Sequence, residues 1–246
     1  MAVLNEEQEM LRDMARDWAV NESPVTEFRK VRASGEPEAF NRDAYATMAQ
    51  MGWAGVIIPE EHGGSDFGFL SAGLVVEELG KTLTASPLVM NTVAASAIVL
   101  GGSDEQKARW LPRLASGEAI ATLAVDEGPS HDPAKIETSV SDGKLSGTKA
   151  FVHEAHGADL FVVAAKDLLY LVDKGDFLPL TTRQLPYQRT PSHVTFDVSP
   201  AETLPNLSLH LLSFVLFLSR VLPSAHFPVM VLPVFLLPLD FLTHLL

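Results

Sequence analysis

The spacing of apolar residues changes once along this chain of 246 residues, and that change constrains the fold more than any single motif. From Glu118 to Ala165, short runs rich in Val, Ile, Thr and Phe are separated by clusters of Gly, Pro, Asp and Ser, the pattern of successive β-strands. Upstream of Glu118 the apolar residues recur at helical spacing, and downstream the strand pattern continues to about Val198. An α+β chain is expected: an all-helical N-terminal domain over 1–117, then a middle β-domain over 118–205. Strands are expected at 119–126, 136–140, 144–152, 160–165, 168–173 and 193–198, with Asp142-Gly143 as a hairpin turn. The connections leave no room for crossover helices, so the β-domain is expected to be mostly antiparallel and barrel- or sandwich-like.

Local signals divide the first part into helices. Asn5 and Gln8 form a capping box, followed by Met10, Leu11, Met14, Ala15 and Trp18 on one face, and Ser23-Pro24 ends the helix. The charged segment 25–39 reads as a loop or short helix. Asn41 caps the next helix, Phe40 and Tyr45 are spaced as a hydrophobic staple, and Gly52 follows its end. A helix over Phe69–Leu79 is closed by Gly80. Ser86 and Pro87 then open an almost wholly apolar helix, expected to be buried, that runs to Gly101-Gly102. A second capping box, Ser103 and Gln106, starts the helix carrying Trp110, Leu111 and Leu114. The expected helical core includes Met14, Trp18, Met48, Leu74, Val89, Ile98 and Leu111.

The formal charge of −13 offers no basic stripe to neutralise phosphates, which argues against a nucleic-acid partner. With no cysteine, disulfides, thiol nucleophiles and thiolate metal sites are excluded. The acidic, amphipathic start lacks the basic and apolar regions of a signal peptide, so a cytoplasmic location is expected. Gly80-Lys81-Thr82 resembles the end of a phosphate-binding loop, but Val75 stands where the first glycine is needed. Ser130-His131-Asp132 holds triad residue types in adjacent positions, which cannot point at one another. His153 and His156 have no acidic partner at a metal-site spacing, and no metal site is expected.

Several phrases resemble the acyl-CoA dehydrogenase family, flavoenzymes that desaturate acyl-CoA thioesters. They are MGWAGVIIPEEHGGSDFGFLSAGLVVEELGK, GSDEQKARWLPRLASGEAIATLAVDE, SGTKAFV and GADLFVVAA, and the resemblance covers about residues 4 to 205. It implies an FAD-dependent α,β-desaturation of an acyl-CoA, carried out by a homo- or hetero-oligomer of acyl-CoA dehydrogenase-like subunits. It also implies a cofactor site at Val125, Asp126, Ser130 and His131 after the first strand, and at Phe151 and His153 further on. Val125 replaces a family Thr, His131 stands at a family Ser, and His153 replaces a hydroxyl residue, with Ser130 as a neighbouring substitute. These departures imply weak or absent FAD binding.

No catalytic residue is assigned. The family's Glu base lies in a C-terminal helical bundle, and the segment 206–246 contains no Glu. That segment carries only Arg220 and Asp240 as charges, and Pro223, Pro228, Pro233 and Pro238 argue against a membrane-spanning helix. It is expected to be non-family sequence from a shifted or truncated reading frame, leaving the chain inactive alone. The alternative is a non-catalytic partner subunit of a heteromeric acyl-CoA dehydrogenase.

Overall fold

A computed structural model describes residues 4–129, 135–166, 168–176, 180–182 and 192–208. Helix α1 (Glu6–Glu22) opens with the expected capping box: the Asn5 side chain accepts from the Gln8 amide, and Gln8 reaches back to the Asn5 amide. The charged segment after Ser23-Pro24 forms α2 (Val25–Ser34). Helix α3 (Arg42–Gln50) is capped by Asn41, which accepts from the amides of Asp43 and Ala44. Before it, Phe40 meets Tyr45 edge-on at 6.3 Å, as a staple should. Two single turns of 3₁₀ helix, Trp53–Gly55 and Glu60–His62, occupy the run too short for an α-helix. Helices α4 (Gly68–Lys81), α5 (Leu88–Gly101) and α6 (Asp104–Ala115) complete the unit, α6 with its own Ser103–Gln106 capping box. Because α4 continues through Gly80 to Lys81, the Gly80-Lys81-Thr82 fragment lies at a helix end and cannot form a phosphate loop.

The strands are β1 (Ala121–Ala124), β2 (Ser139–Ser141), β3 (Lys144–Val152), β4 (Leu160–Ala165), β5 (Leu168–Asp173), β6 (Leu180–Thr182), β7 (Ser192–Pro200) and β8 (Glu202–Ser208). They form two four-stranded sheets, ordered β1-β4-β5-β8 and β2-β3-β7-β6. Among the described residues neither sheet closes into a barrel, so the sandwich half of the expectation holds and the barrel half does not. One pair is parallel: Ala121–Ala124 of β1 run beside Leu160–Val163 of β4. The chain can return in parallel without a crossover helix because β2 and β3, in the other sheet, carry the connection.

The first sheet is the middle layer. Leu160, Val162 and Ala164 of β4, with Leu169 and Leu171 of β5, join the core formed by the helices. Phe161, Val163 and Ala165 point the other way and pack with Leu145, Val194 and Phe196 of the second sheet. Phe161 meets Phe196 edge-on at 6.2 Å across that interface.

Three expectations are corrected. Met14 is 40% exposed, because the stripe that α1 turns toward α4 is centred on Leu11, Ala15 and Trp18 and Met14 sits on its flank. Val89 is only half-buried and Leu100 is exposed, since α5 is apolar all round and its spacing marks no preferred face. Strand β8 was not expected, and it carries the first sheet past the compositional step at 206 to Ser208. Pro205 lies at this sheet edge and hides the alternation. There Leu207 packs so closely on α5 that a Cβ at Gly101 would lie 2.5 Å from its own Cβ. From α6, Gln106 Nε2 donates to the Thr203 carbonyl at 3.0 Å and Arg109 pairs with Glu202 at 2.7 Å. The apolar segment from 209 onward lies outside the described residues.

Phe161→Ala removes the ring that joins the two sheets and is expected to destabilise the chain by about 3–5 kcal/mol. Guanidinium unfolding followed by circular dichroism measures this. A loss under about 1 kcal/mol would mean that the inter-sheet core is not packed as described.

Candidate functional site

Past β1, the chain is tied to β3 by a group of hydrogen bonds. The Asp126 carbonyl accepts from the Ala150 amide at 2.6 Å. The Val125 carbonyl accepts from Lys149 Nζ at 2.9 Å. Lys149 Nζ also donates to Glu127 Oε1 at 2.7 Å, and its side chain is fully buried. The Glu127 carboxylate then gathers the returning chain, accepting from the Glu137 amide at 2.7 Å and the Thr138 amide at 3.0 Å. Thr138 can lie against β3 because Gly147 has no side chain; a Cβ there would stand 2.3 Å from Thr138 Oγ1.

Burial alone would raise the Glu127 carboxyl, but hydrogen bonds from Lys149 and from the two backbone amides outweigh it and hold it down at about 2. Burial also pulls the Lys149 ammonium below its ordinary value, against the opposing pull of Glu127. The pair is therefore ionic, with the carboxylate held by three donors and the lysine its more deeply buried partner.

Beyond Lys149 the strand bulges. The register of β3 on β7 shifts between Lys149 and Val152, and Phe151 takes a left-handed φ of 57° that is uncommon for an aromatic residue. The bulge turns the Phe151 side chain outward, 38% exposed, with its ring 6.0 Å from that of His193 on β7. His153 follows the end of β3, half-buried, and its carbonyl accepts the Thr122 hydroxyl at 2.6 Å.

The structure thus brings Val125, Asp126, Phe151 and His153 into one region, at the junction of β1 and β3. Ser130 and His131 lie outside the described residues. The fit to a flavin is partial. Phe151 offers an exposed aromatic face, whereas the Val125 side chain is in the helical core and its carbonyl is taken by Lys149. Sequence reasoning missed Lys149 and Glu127. A signal existed: Lys149 is in phase with inward-facing Leu145, and a lysine at a core position requires an acidic or carbonyl partner.

The profile of the family described as acyl-CoA dehydrogenase, N-terminal domain, matches residues 5–118. An acryloyl-CoA reductase (NADH) of Anaerotignum propionicum is 33% identical over 172 residues, which cover 66% of this chain and 42% of the reductase. Among solved structures, a variant of the Tcur3481-Tcur3483 steroid ACAD superimposes with a TM-score of 0.78 at 27% identity, covering 87% of this chain and 60% of that one. An acyl-CoA dehydrogenase from Bacillus anthracis, complexed with FAD, shares the fold with a TM-score of 0.72 at 22% identity, covering 88% of this chain and 41% of that one. The layered fold and these matches place the chain in an oxidoreductase flavoprotein family. It belongs to the acyl-CoA dehydrogenase family, and its described part corresponds to the family's N-terminal and middle domains. The matched part spans less than half the length of the curated reductase, 42%.

The Glu127 carboxyl is held below its ordinary value of 4.5, so its stabilisation is fully present above about pH 4.5 and is lost as pH falls toward about 2. Thermal unfolding of the parent and of Glu127→Gln should differ most near neutral pH and converge in acid. A gap that stays constant across that range would show that Glu127 is not held ionised by its partners.

Proposed function

We propose that this chain is the helical and middle-domain portion of an acyl-CoA dehydrogenase-like flavoprotein that acts on an acyl-CoA thioester, with FAD bound weakly. The observation that carries the reading is the bulge at Phe151, which places an exposed aromatic ring beside the end of β1, where the family resemblance puts the flavin. When bound, the flavin would accept the hydride from the thioester's β-carbon. Of the described residues, Phe151 would supply a face for the ring system, and the buried layer of Val125 would close off water from the helical side. Val125 supplies no donor to the flavin's polar edge, and each such unsatisfied group costs about 1–3 kcal/mol, hence the weak binding. The division at 118 and near 206 is part of the same proposal, with β8 extending the middle unit to Ser208. The family's Glu base, and with it turnover, belongs to a part of the family fold outside the described residues.

A second reading is a non-catalytic partner subunit of a heteromeric acyl-CoA dehydrogenase. The poor donor set at Val125 favours it, and the two-component name of the steroid ACAD relative is consistent with it. Among the described residues no helix is long and apolar enough to cross a membrane.

Titration of the purified chain with FAD, followed by flavin fluorescence, tests the first reading. Binding is expected to be weak enough to be lost on dialysis. Phe151→Ala should weaken it further, and His153→Thr should strengthen it, whereas Val125→Thr should not, because that side chain lies in the helical core. Unchanged affinity in Phe151→Ala would remove the flavin from this site. Binding only after mixing with an acyl-CoA dehydrogenase-like subunit would favour the partner reading.

A further inference from the structure

We propose that Lys149, through its pair with Glu127, is a positioning residue that fixes the two arms of the candidate flavin site against each other. The inference rests on the flavin reading for its function but not for its geometry. One arm is Val125–Glu127 after β1; the other is the Phe151–His153 stretch at the end of β3. Lys149 touches the first arm twice, at the Val125 carbonyl and the Glu127 carboxylate, from a side chain rooted in β3 two residues before the second arm begins. Through Glu127 it also holds the returning chain at Glu137 and Thr138.

Its place in the strand matters as much as its bonds. Lys149 pairs with Val194 and is the last residue of β3 in regular register before the bulge. Its anchor therefore sets where the bulge begins, and so where Phe151 emerges. Stability does not account for a lysine here. Its side chain is wholly buried, burial disfavours its charge, and a buried ion pair can often be replaced by well-packed apolar residues without loss. What an apolar pair cannot supply is a directional tie to one particular carbonyl and one particular carboxylate. The ammonium's hydrogen bonds set a distance and an angle between two pieces of backbone, whereas methylenes would allow them to slide.

The test is a volume-conserving swap, Lys149→Met with Glu127→Leu, in the full chain. Two readouts are taken at matched stability. The first is hydrogen exchange of the Ala150 amide in the cofactor-free protein; that amide bonds Asp126 and neither member of the pair. The second is FAD affinity by fluorescence titration. The swap is expected to lower the unfolding midpoint, because it also leaves the Val125 carbonyl and the Glu137 and Thr138 amides without these partners. At matched stability Ala150 protection and FAD affinity should each fall by about tenfold, the effect of losing a charge-assisted tie. A folded swap that keeps both within about twofold of the parent overturns the proposal. Where the swap does not fold, Glu127→Gln decides. It keeps one acceptor oxygen for Lys149 and Thr138 but removes the charge and puts an NH2 donor where the Glu137 amide was accepted. Ala150 protection should therefore fall while the protein stays folded, and unchanged protection overturns the proposal. A parent that binds no FAD counts against the flavin reading alone, because the exchange measurement still judges the positioning role.

Discussion

Leu160–Ala165 has no side that faces water, and the layers of the molecule follow from that burial. All six residues of β4 are buried, alternate ones belonging to two different cores. A strand covered on both faces must have a layer on each side. The helices supply one through α5 and its neighbours, and the second sheet supplies the other. The helical part and the first sheet therefore share a single core: Ala94, Ile98 and Leu111 lie in the same cluster as Leu160, Val162 and Leu207. The change of period at Glu118 marks a change of secondary structure rather than a gap between two independent cores.

Features set by a few adjacent residues were legible in the sequence. The caps at Asn5, Asn41 and Ser103 depend on side chains reaching backbone two or three residues away, the Phe40–Tyr45 staple on two rings five residues apart, and all are present. β3, β4 and β5 match the expected limits because their apolar runs end at turn residues. What depends on distant partners was not legible. The parallel pairing of β1 with β4 is decided by which sheet each strand joins, and neither segment encodes that choice. The face of α5 that is buried could not be read from a helix apolar on every side. β8 was hidden by Pro205 and by its position at the compositional step, yet Leu204 and Leu207 are fully part of the core.

The candidate site was legible in outline and misjudged in emphasis. Resemblance led to Val125, Asp126, Phe151 and His153, and the structure does gather them. It also shows why Val125 is a poor flavin contact for more than its missing hydroxyl: the side chain is committed to the helical core and the carbonyl to Lys149. Lys149 was missed, although its place in phase with Leu145 along β3 was a signal that it points inward. Identifying its partner required the fold, because Glu127 stands 22 residues earlier in sequence.

The irregularity of β3 links these observations. A regular strand would send Phe151 and Lys149 to the same face, since side chains alternate with period two. The bulge breaks that rule within two residues, so that the lysine stays inside and the ring goes out. A left-handed residue of this kind is unfavourable on its own and persists only where surrounding contacts fix it. Here the bond from the Ala150 amide to Asp126 and the lysine's two bonds lie immediately before Phe151, and the β7 pairing resumes at Val152 opposite Ser192 immediately after it. The exposed ring is thus held by constraints on both sides of one residue. An irregularity so bracketed can present a side chain in a fixed direction, which a flexible loop of the same length cannot.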